Sequence, residues 1–474
     1  MEKHNFLFLL TFLSRKIRNY DQKSSPRVST SKERRGVDAC RHDWPLVTMH
    51  TSIQKLSLVL AMMLCFGLTH AKESGAELSD LLFASLQGNP SLRSAWLDVV
   101  ASGQDVEVSE RGRWPVVSAV VESKTGTLSS TPSRALRAQQ PLWDGGRIES
   151  VISESESQKK VITYKYYQQQ QQVFIAVVTA WQGVMAAKER MRAAHSALLR
   201  LRDFQAQMLR RVEAQASPRI DLELVDARVF QTEVELSSAQ TLYANSINRL
   251  EQLTGLSGLK QAGRLAFDFY NAPMAARIHQ EMQLEDLEHL VSKDNAVLRT
   301  QAEVELARAR YNTKDAEKWP QLFVRVDQPV GKVVSYSDTR MSAFIGLQYT
   351  PNAGFSNFLQ AQSLLTRVES SQQLVESTQR EVREAFENDR EEIFSARQKV
   401  AALERAVTGS SAVRESYERQ FQGGKKSWLD LLNAARELTQ NEYGLADAKT
   451  GLMAAIYKYQ VRAGMPIQRA AHND

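Results

Sequence analysis

The sequence is short of residues that interrupt helices and of residues that cross-link or catalyse. Its 474 positions hold 12 prolines and two cysteines, and both cysteines, Cys40 and Cys65, fall in the first 71 residues. If that stretch is a removable leader, the body has no cysteine, which excludes disulfides, thiolate metal sites and cysteine nucleophiles together. The histidines of the body, His195, His279, His289 and His472, stand singly, so the pair spacing of a helical metal site is missing. Gly145-Gly146 lacks the further glycines and the Lys-Ser/Thr of a phosphate loop. Carboxylates such as Glu149, Glu154 and Glu156 sit near Lys159 and Lys160, where i,i+4 pairing on a solvated helix accounts for them. No catalytic residue, cofactor site or metal site is therefore expected, and the chain is not read as an enzyme.

An excess of charge is also missing from the body. The net charge is +6, but residues 1–71 carry 11 Lys and Arg against 5 acids, and the other 403 residues carry 49 of each sign. A basic surface for nucleic acid is thereby excluded as a global feature. The leader explains the surplus. Lys55 precedes the apolar run Leu56 to Leu68, which is too short to span a bilayer, and Thr69-His-Ala71 supplies small residues at the −3 and −1 positions of a cleavage site. Residues 49–71 are read as a signal peptide and residues 1–48 as a non-native or dispensable extension. Leu64 before Cys65 is not small, which argues against a lipidated cysteine.

What the body does contain is long helical stretches. Ser356 to Gln422 has no proline and one glycine, Gly409, and as one helix would extend ~100 Å. A polar break at Gly423-Gly424-Lys425-Lys426-Ser427 follows, and the apolar pattern resumes at Trp428, as expected for the tip of an antiparallel helical hairpin. Arg147 to Ala216 is a second such run, broken at Gln215-Ala-Ser217-Pro218 and returning from Ile220 to Leu253. Five consecutive glutamines ending at Gln172 are read as a solvated face of the first of these helices.

The two runs belong to an internal repeat. Asn89-Pro-Ser-Leu92-Arg93 leads after 25 residues to Trp114-Pro115, and Asn295-Ala-Val-Leu298-Arg299 leads after 24 to Trp319-Pro320. Strand-like segments follow each Trp-Pro. In the second copy Leu322, Val324 and Val326 alternate with Phe323, Arg325 and Asp327, and Ala343, Ile345 and Leu347 return against Ser342, Phe344 and Gly346. Each return ends in a Pro/Gly joint: Pro141, Gly145 and Gly146 in one copy, Pro351 and Gly354 in the other. Two hairpins give four strands, too few to close a barrel within one chain, so closure has to be shared between subunits.

Gln140-Pro-Leu-Trp-Asp-Gly-Gly-Arg147, the duplicated Trp-Pro strands and the paired tips together resemble the TolC family of outer-membrane efflux proteins over almost the whole 403-residue body. The resemblance implies a mainly α fold with a membrane β-barrel part, duplicated as a strand hairpin plus a long helical hairpin. It further implies a homotrimer in outer-membrane lipid, whose twelve strands form one barrel continuous with an α-helical tunnel in the periplasm. The first repeat would span 72–258 and the second 291–466, with an equatorial connector at 259–290 and a tail at 467–474. The implied partners are a periplasmic membrane-fusion adaptor and an inner-membrane transporter, with no nucleic acid. The adaptor would meet the tips at Ser217, Pro218, Gly423, Gly424, Lys425 and Ser427.

The tip wording Phe421 to Ala434 looks most like members serving type I protein secretion, which favours an ABC-type transporter. Family carboxylates that ring the tunnel entrance fall on Asp430, while Asn433 departs from the second such position. In the first copy Glu223 or Asp221 takes the comparable place, the two tips being read as different in length. Carboxylates ringed at a constriction focus potential and favour cations, whereas Asp430 could equally support the start of its own helix. Two other readings stay open: a small-molecule efflux channel, and a periplasmic coiled-coil protein with no pore. A chain begun at Met49 is expected to be exported as efficiently as the full sequence; fractionation showing loss of export for that chain alone would mean that residues 1–48 are needed.

Overall fold

The computed structural model describes residues 78–122, 133–259, 277–278, 280, 282, 285–330, 340–351 and 353–465. The leader with both cysteines, His279, His472 and the tail lie outside the described residues. Two N-terminal helices, α1 (Leu78–Gly88) and α2 (Pro90–Glu110), lead into strands β1 (Val116–Glu122) and β2 (Ser133–Trp143). The hairpin of α3 (Arg147–Glu213) and α4 (Arg219–Thr254) follows. A short α5 (Leu287–Lys293) lies at the end of the connector, and the second copy runs through α6 (Asn295–Ala316), β3 (Gln321–Pro329), β4 (Ser342–Gln348), α7 (Ser356–Gln422) and α8 (Trp428–Arg462).

The duplication is closer in structure than in sequence. The long helices α3 and α7 have 67 residues each, their return helices have 36 and 35, and the helices before the strands have 21 and 22. Capping chemistry shows why the sequence spacing looked unequal. Asn89 caps α2, accepting from the amides of Ser91 and Leu92, but the residue that caps α6 is Asp294, accepting from the Ala296 amide. Counted from its cap, each Trp lies 25 residues on. The buried counterpart of Leu92 is thus Val297, not Leu298.

Helix α3 is the spine. Its first part packs on α2 and α6, and further along it packs on α4 and α8; α7 lies against α6 and α8. Where these elements meet, Trp181 stands edge-on to Tyr457 at 5.5 Å and Phe386 edge-on to Tyr459 at 5.9 Å. Leu259, Ile278 and Met282 from the connector are buried in the same core. The glutamine tract is not a solvated face: Gln171 donates toward the Asp294 carboxylate and the Arg462 carbonyl, and Gln168 to Gln171 are half-buried. Near the start of α3 two acids pair between elements rather than along the helix: Glu149 with Arg113 and Glu154 with Arg310, while Lys160 reaches Glu305.

The N-terminal helices are locked to the first hairpin at one tight crossing. The Asn89 side-chain amide donates to the Leu253 carbonyl at 3.0 Å, and Gly88 lies on Gly255, which ends α4 with φ +72°. A Cβ on Gly88 would sit 2.1 Å from the Thr254 carbonyl oxygen, so backbone has to move to admit it. Gly88→Ala is expected to cost about 1–3 kcal/mol, read as a lowered thermal midpoint; an unchanged midpoint would mean that the crossing is soft.

Candidate functional site

Three regions carry the chemistry that the sequence singled out: the helical tips, the strand-to-helix joints and the sheet. At the tips the structure gives equal lengths, not different ones. Five residues separate α3 from α4 and five separate α7 from α8. The turn bonds also match: Ala216 N–H donates to the Arg211 carbonyl and Lys425 N–H to the Gln420 carbonyl, each at 2.8 Å. Gln215 (φ +56°) occupies the place of Gly424 (φ +70°). That left-handed residue ends α3 at Glu213, three residues before the expected Ala216.

This register pairs Ser217 with Lys426, Pro218 with Ser427 and Asp221 with Asp430; Glu223 instead falls opposite Leu432, and Asn433 opposite Leu224. The two aspartates differ in what holds them. Ser427 and Asp430 form a capping box: the Ser427 hydroxyl accepts from the Asp430 amide, and the Asp430 carboxylate accepts from the Ser427 amide and hydroxyl. These bonds, the hydroxyl's first, hold the Asp430 carboxyl below the usual carboxylate range, with Lys426 at 3.9 Å assisting. Pro218 has no N–H and no hydroxyl, so α4 carries no such box and Asp221 starts its helix through the dipole alone. Glu223 faces Arg219 at 3.6 Å, and Asn433 is exposed.

The second tip is pinned from behind. Trp428 is buried between Phe204 of α3 and Phe421 of α7, with ring centroids at 5.6 and 5.0 Å, and the Arg211 guanidinium lies 4.7 Å over Phe421. Gly423 and Lys425 are exposed at the end of the hairpin. Above the tips a cleft lined by Arg200, Arg228, Glu235, Leu432 and Tyr443 runs between α4 and α8 over α3, with Arg200 paired to Glu442 at 2.7 Å.

At the joints each copy turns from strand to helix through two consecutive left-handed residues, Gly145-Gly146 and Gly354-Phe355. Gly145 has a second constraint, because Trp319 packs on it so closely that a Cβ would lie 2.5 Å away. Asp144 completes the first joint, accepting from the amides of Gly146 and Ile148. Pro141 lies at a bulge, after which Trp143 pairs with Leu322. Pro351 is half-buried, and just beyond it the buried Asn357 donates to the Thr350 carbonyl.

The strands form one antiparallel sheet in the order β1-β2-β3-β4, so the hairpins of the two copies join at β2 and β3. Cross-strand partners share a face. One face carries Val117, Ala119, Val121, Leu136, Ala138, Leu322, Val324, Val326, Ala343, Ile345 and Leu347. Its side chains are open to the surroundings, Ile345 being 77% exposed and Val117 71%. Arg134, Gln140 and Gln328 share that face, and the other face is mixed, carrying Ser118, Arg137, Gln139, Gln321, Arg325, Asp327, Ser342 and Gln348 together with Val116, Val120, Ala135, Phe323 and Phe344. At the helix end of the four strands stand Trp114, Trp143, Trp319 and Tyr349, one per strand and each exposed. Among the described residues no helix is long and apolar enough to cross a membrane.

A mainly apolar face, an opposite face that carries most of the charges and an aromatic row are features shared with the sheets of outer-membrane barrels. Residues 81–256 match the family model described as outer membrane efflux protein. The chain has the TolC-like fold of outer-membrane efflux channels, mostly helical with a small antiparallel sheet. A membrane protein of Pseudomonas aeruginosa matches with TM-score 0.71 and 17% identity, over 85% of this chain and 94% of that one. The outer membrane protein VceC of Vibrio cholerae matches at 0.69 and 15%, over 83% and 97%. The CmeC outer membrane channel of Campylobacter jejuni matches at 0.69 and 12%, over 93% and 94%. No match is found among curated protein sequences.

Sequence reasoning missed the aromatic row, although Trp-Pro recurring before a strand marks two of its members, and it missed Asp144, which Asp-Gly-Gly before a helix announces. The caps give a pH prediction. Because the folded Asp430 carboxyl is depressed, its contribution is complete above the ordinary carboxylate range and is lost as pH falls through the folded value. Amide exchange at residues 427–431, corrected for intrinsic rate, is expected to rise as the pH is lowered through that window, and the pH-dependent part of the rise to shrink in Ser427→Ala. The same pH-dependent rise in that variant would contradict the assignment.

Proposed function

We propose that the chain is the outer-membrane exit duct of a tripartite export system, a homotrimer with no turnover of its own. The observation that carries this reading is the sheet: an apolar face one strand-length high, bounded by one aromatic per strand at the helix end, as a lipid-facing band with an interfacial girdle requires. Three copies supply twelve strands, with β4 of each pairing to β1 of the next. The helices continue the duct into the periplasm, where the tips around Ser217, Pro218 and Gly423 to Ser427 meet a membrane-fusion adaptor and, through it, an inner-membrane transporter. At the closed entrance Asp221 and Asp430 contribute the ring of carboxylates that favours cations, with Glu223 and Asn433 one turn or less away.

The finer reading is type I protein secretion with an ABC-type transporter. Its support is the tip sequence Phe421 to Ala434. Small-molecule efflux is the second reading, supported by the description of the matching family. Deletion of the gene separates them by its phenotype: loss of a secreted protein from the medium for the first, greater sensitivity to toxic small molecules for the second.

The mature protein is expected to require detergent and to behave as a trimer by light scattering; a soluble, detergent-free monomer would remove the barrel. Ile345→Arg, on the lipid-facing side, is expected to cost about 2–4 kcal/mol near mid-bilayer and to reduce membrane-inserted trimer sharply. Ser342→Arg, on the opposite face, should insert nearly as well as wild type. Equal insertion of the two variants would contradict the assignment of faces.

A further inference from the structure

The two copies are duplicates, but their long helices do not have equal company. α3 packs broadly on α2, α4, α6 and α8, whereas its counterpart α7 packs broadly on α6 and α8 alone, with the short α5 beside it. In the repeat α6 stands for α2 and α8 for α4. The neighbours missing from α7 are therefore equivalents of the α6 and α8 that flank α3, and the first copy's versions of those are α2 and α4. These two helices have the matching deficit. α6 and α8 each lie on both α3 and α7, while α2 and α4 have α3 as their one long neighbour among the described residues.

We propose that the seam of α3 against α6 and α8 is the mould for a seam between subunits, in which α7 of one protomer lies against α2 and α4 of the next. In that seam Phe230 of α4 seats over Gly409 of α7, and Asp105 of α2 pairs with Arg367 of α7. The occupant is a second copy of this chain. The proposal rests on the trimer reading, which by itself names no contact between helices of different subunits.

The register follows from the duplication. Equivalent residues of the helical hairpins lie 209 positions apart, as Arg147 and Ser356 or Arg219 and Trp428, and those of the helices before the strands 205 apart, as Asn89 and Asp294. Each contact inside the chain thus names a pair between chains. Arg200 of α3 reaches Thr439 of α8 at 3.5 Å, and the equivalent pair is Gly409 with Phe230. Phe230 is 65% exposed, and apart from its own helix nothing lies within 4 Å of a Cβ built on Gly409. Glycine weakens a helix interior, and no contact within the chain requires it there; a flat place for an incoming aromatic ring does. Arg310 of α6 reaches Gln158 at 3.2 Å and Glu154 at 3.4 Å on α3. The equivalent is Asp105 facing Arg367 and Ser363, all exposed, with the Asp105 and Arg367 side chains unpaired within the chain. At the third such place, Lys160 with Glu305, the equivalents Glu369 and Val100 form no ion pair. Ala302 of α6 is 3% exposed, whereas its equivalent Leu97 on α2 is 56% exposed, as a seam position without its neighbour has to be. Because the surface on α7 differs from the one on α2 and α4, the contact is head-to-tail and closes as a ring.

Residues 72–474 hold no cysteine, so introduced thiols can be read without background. Phe230→Cys combined with Gly409→Cys in the full chain, oxidised in isolated membranes, is expected to run as a covalent trimer on a non-reducing gel. Each single variant should run as monomer, as should Phe230→Cys with Arg397→Cys, about three turns away along α7. Gly409→Leu should lower the temperature at which the detergent-solubilised trimer dissociates, whereas on an open helix surface the better helix former would raise it. Asp105→Arg and Arg367→Asp should each lower that temperature, and the two together should bring it back; this exchange carries the test if the paired cysteine variant does not assemble. A wild-type trimer whose Phe230 and Gly409 positions do not cross-link, or whose Gly409→Leu variant is the more stable and whose charge exchange gives no recovery, would overturn the seam. A wild type that is no trimer by light scattering would instead remove the assembly on which the seam rests.

Discussion

Backbone hydrogen bonding at the two outer strands constrains everything else in this protein. β2 and β3 are paired on both sides, whereas β1 and β4 each present a row of N–H and C=O groups with no strand beside them among the described residues. In water such edges are tolerable, but in hydrocarbon each unpaired group costs several kcal/mol. A sheet with one apolar face and two open edges therefore needs neighbours of its own kind. The duplication of the chain supplies half of the solution, since the two hairpins already join at β2 and β3. Repetition of the chain around an axis, as proposed, would supply the rest.

The helices follow from the same arrangement. Each return strand passes through a left-handed joint into a helix of 67 residues, ~100 Å long, far more than a core needs. Such a helix is stabilised by neighbours along its length, and the neighbours change along α3 from α2 and α6 to α4 and α8. Large apolar side chains are left exposed along the helices, such as Trp96 and Leu97 on α2, Phe230 and Val234 on α4 and Leu359 and Phe394 on α7. Three copies in a ring would cover faces of this kind and give the tunnel its wall.

Much of this was legible in the sequence because it depends on local rules. The alternation of Leu322 to Asp327 named the faces of β3, Gly145-Gly146 before Arg147 and Gly354 before Ser356 marked joints that demand positive φ, and the scarcity of proline pointed to long helices. What was not legible depended on equivalence between copies and on distant partners. Asn295 resembles Asn89, yet the capping function lies with Asp294, because a cap is defined by the amides it receives and not by residue identity. Glu223 looked as good a match for Asp430 as Asp221 until the turn bonds set the register of the tips. The glutamine tract looked solvated because nothing in its own composition records Asp294 and Arg462 packing over Gln171. The pairing of Arg137 with Asp327 joins residues 190 positions apart, and only the sheet brings them together.

The most direct test is an electron cryo-microscopy map of the mature protein in lipid nanodiscs. The account predicts threefold symmetry, a closed ring of twelve strands within the lipid belt, β4 of each copy hydrogen-bonded to β1 of the next, and Trp114, Trp143, Trp319 and Tyr349 at one rim of the belt. A map in which the four strands of a single chain lie in solvent, or close without a neighbour, would contradict it.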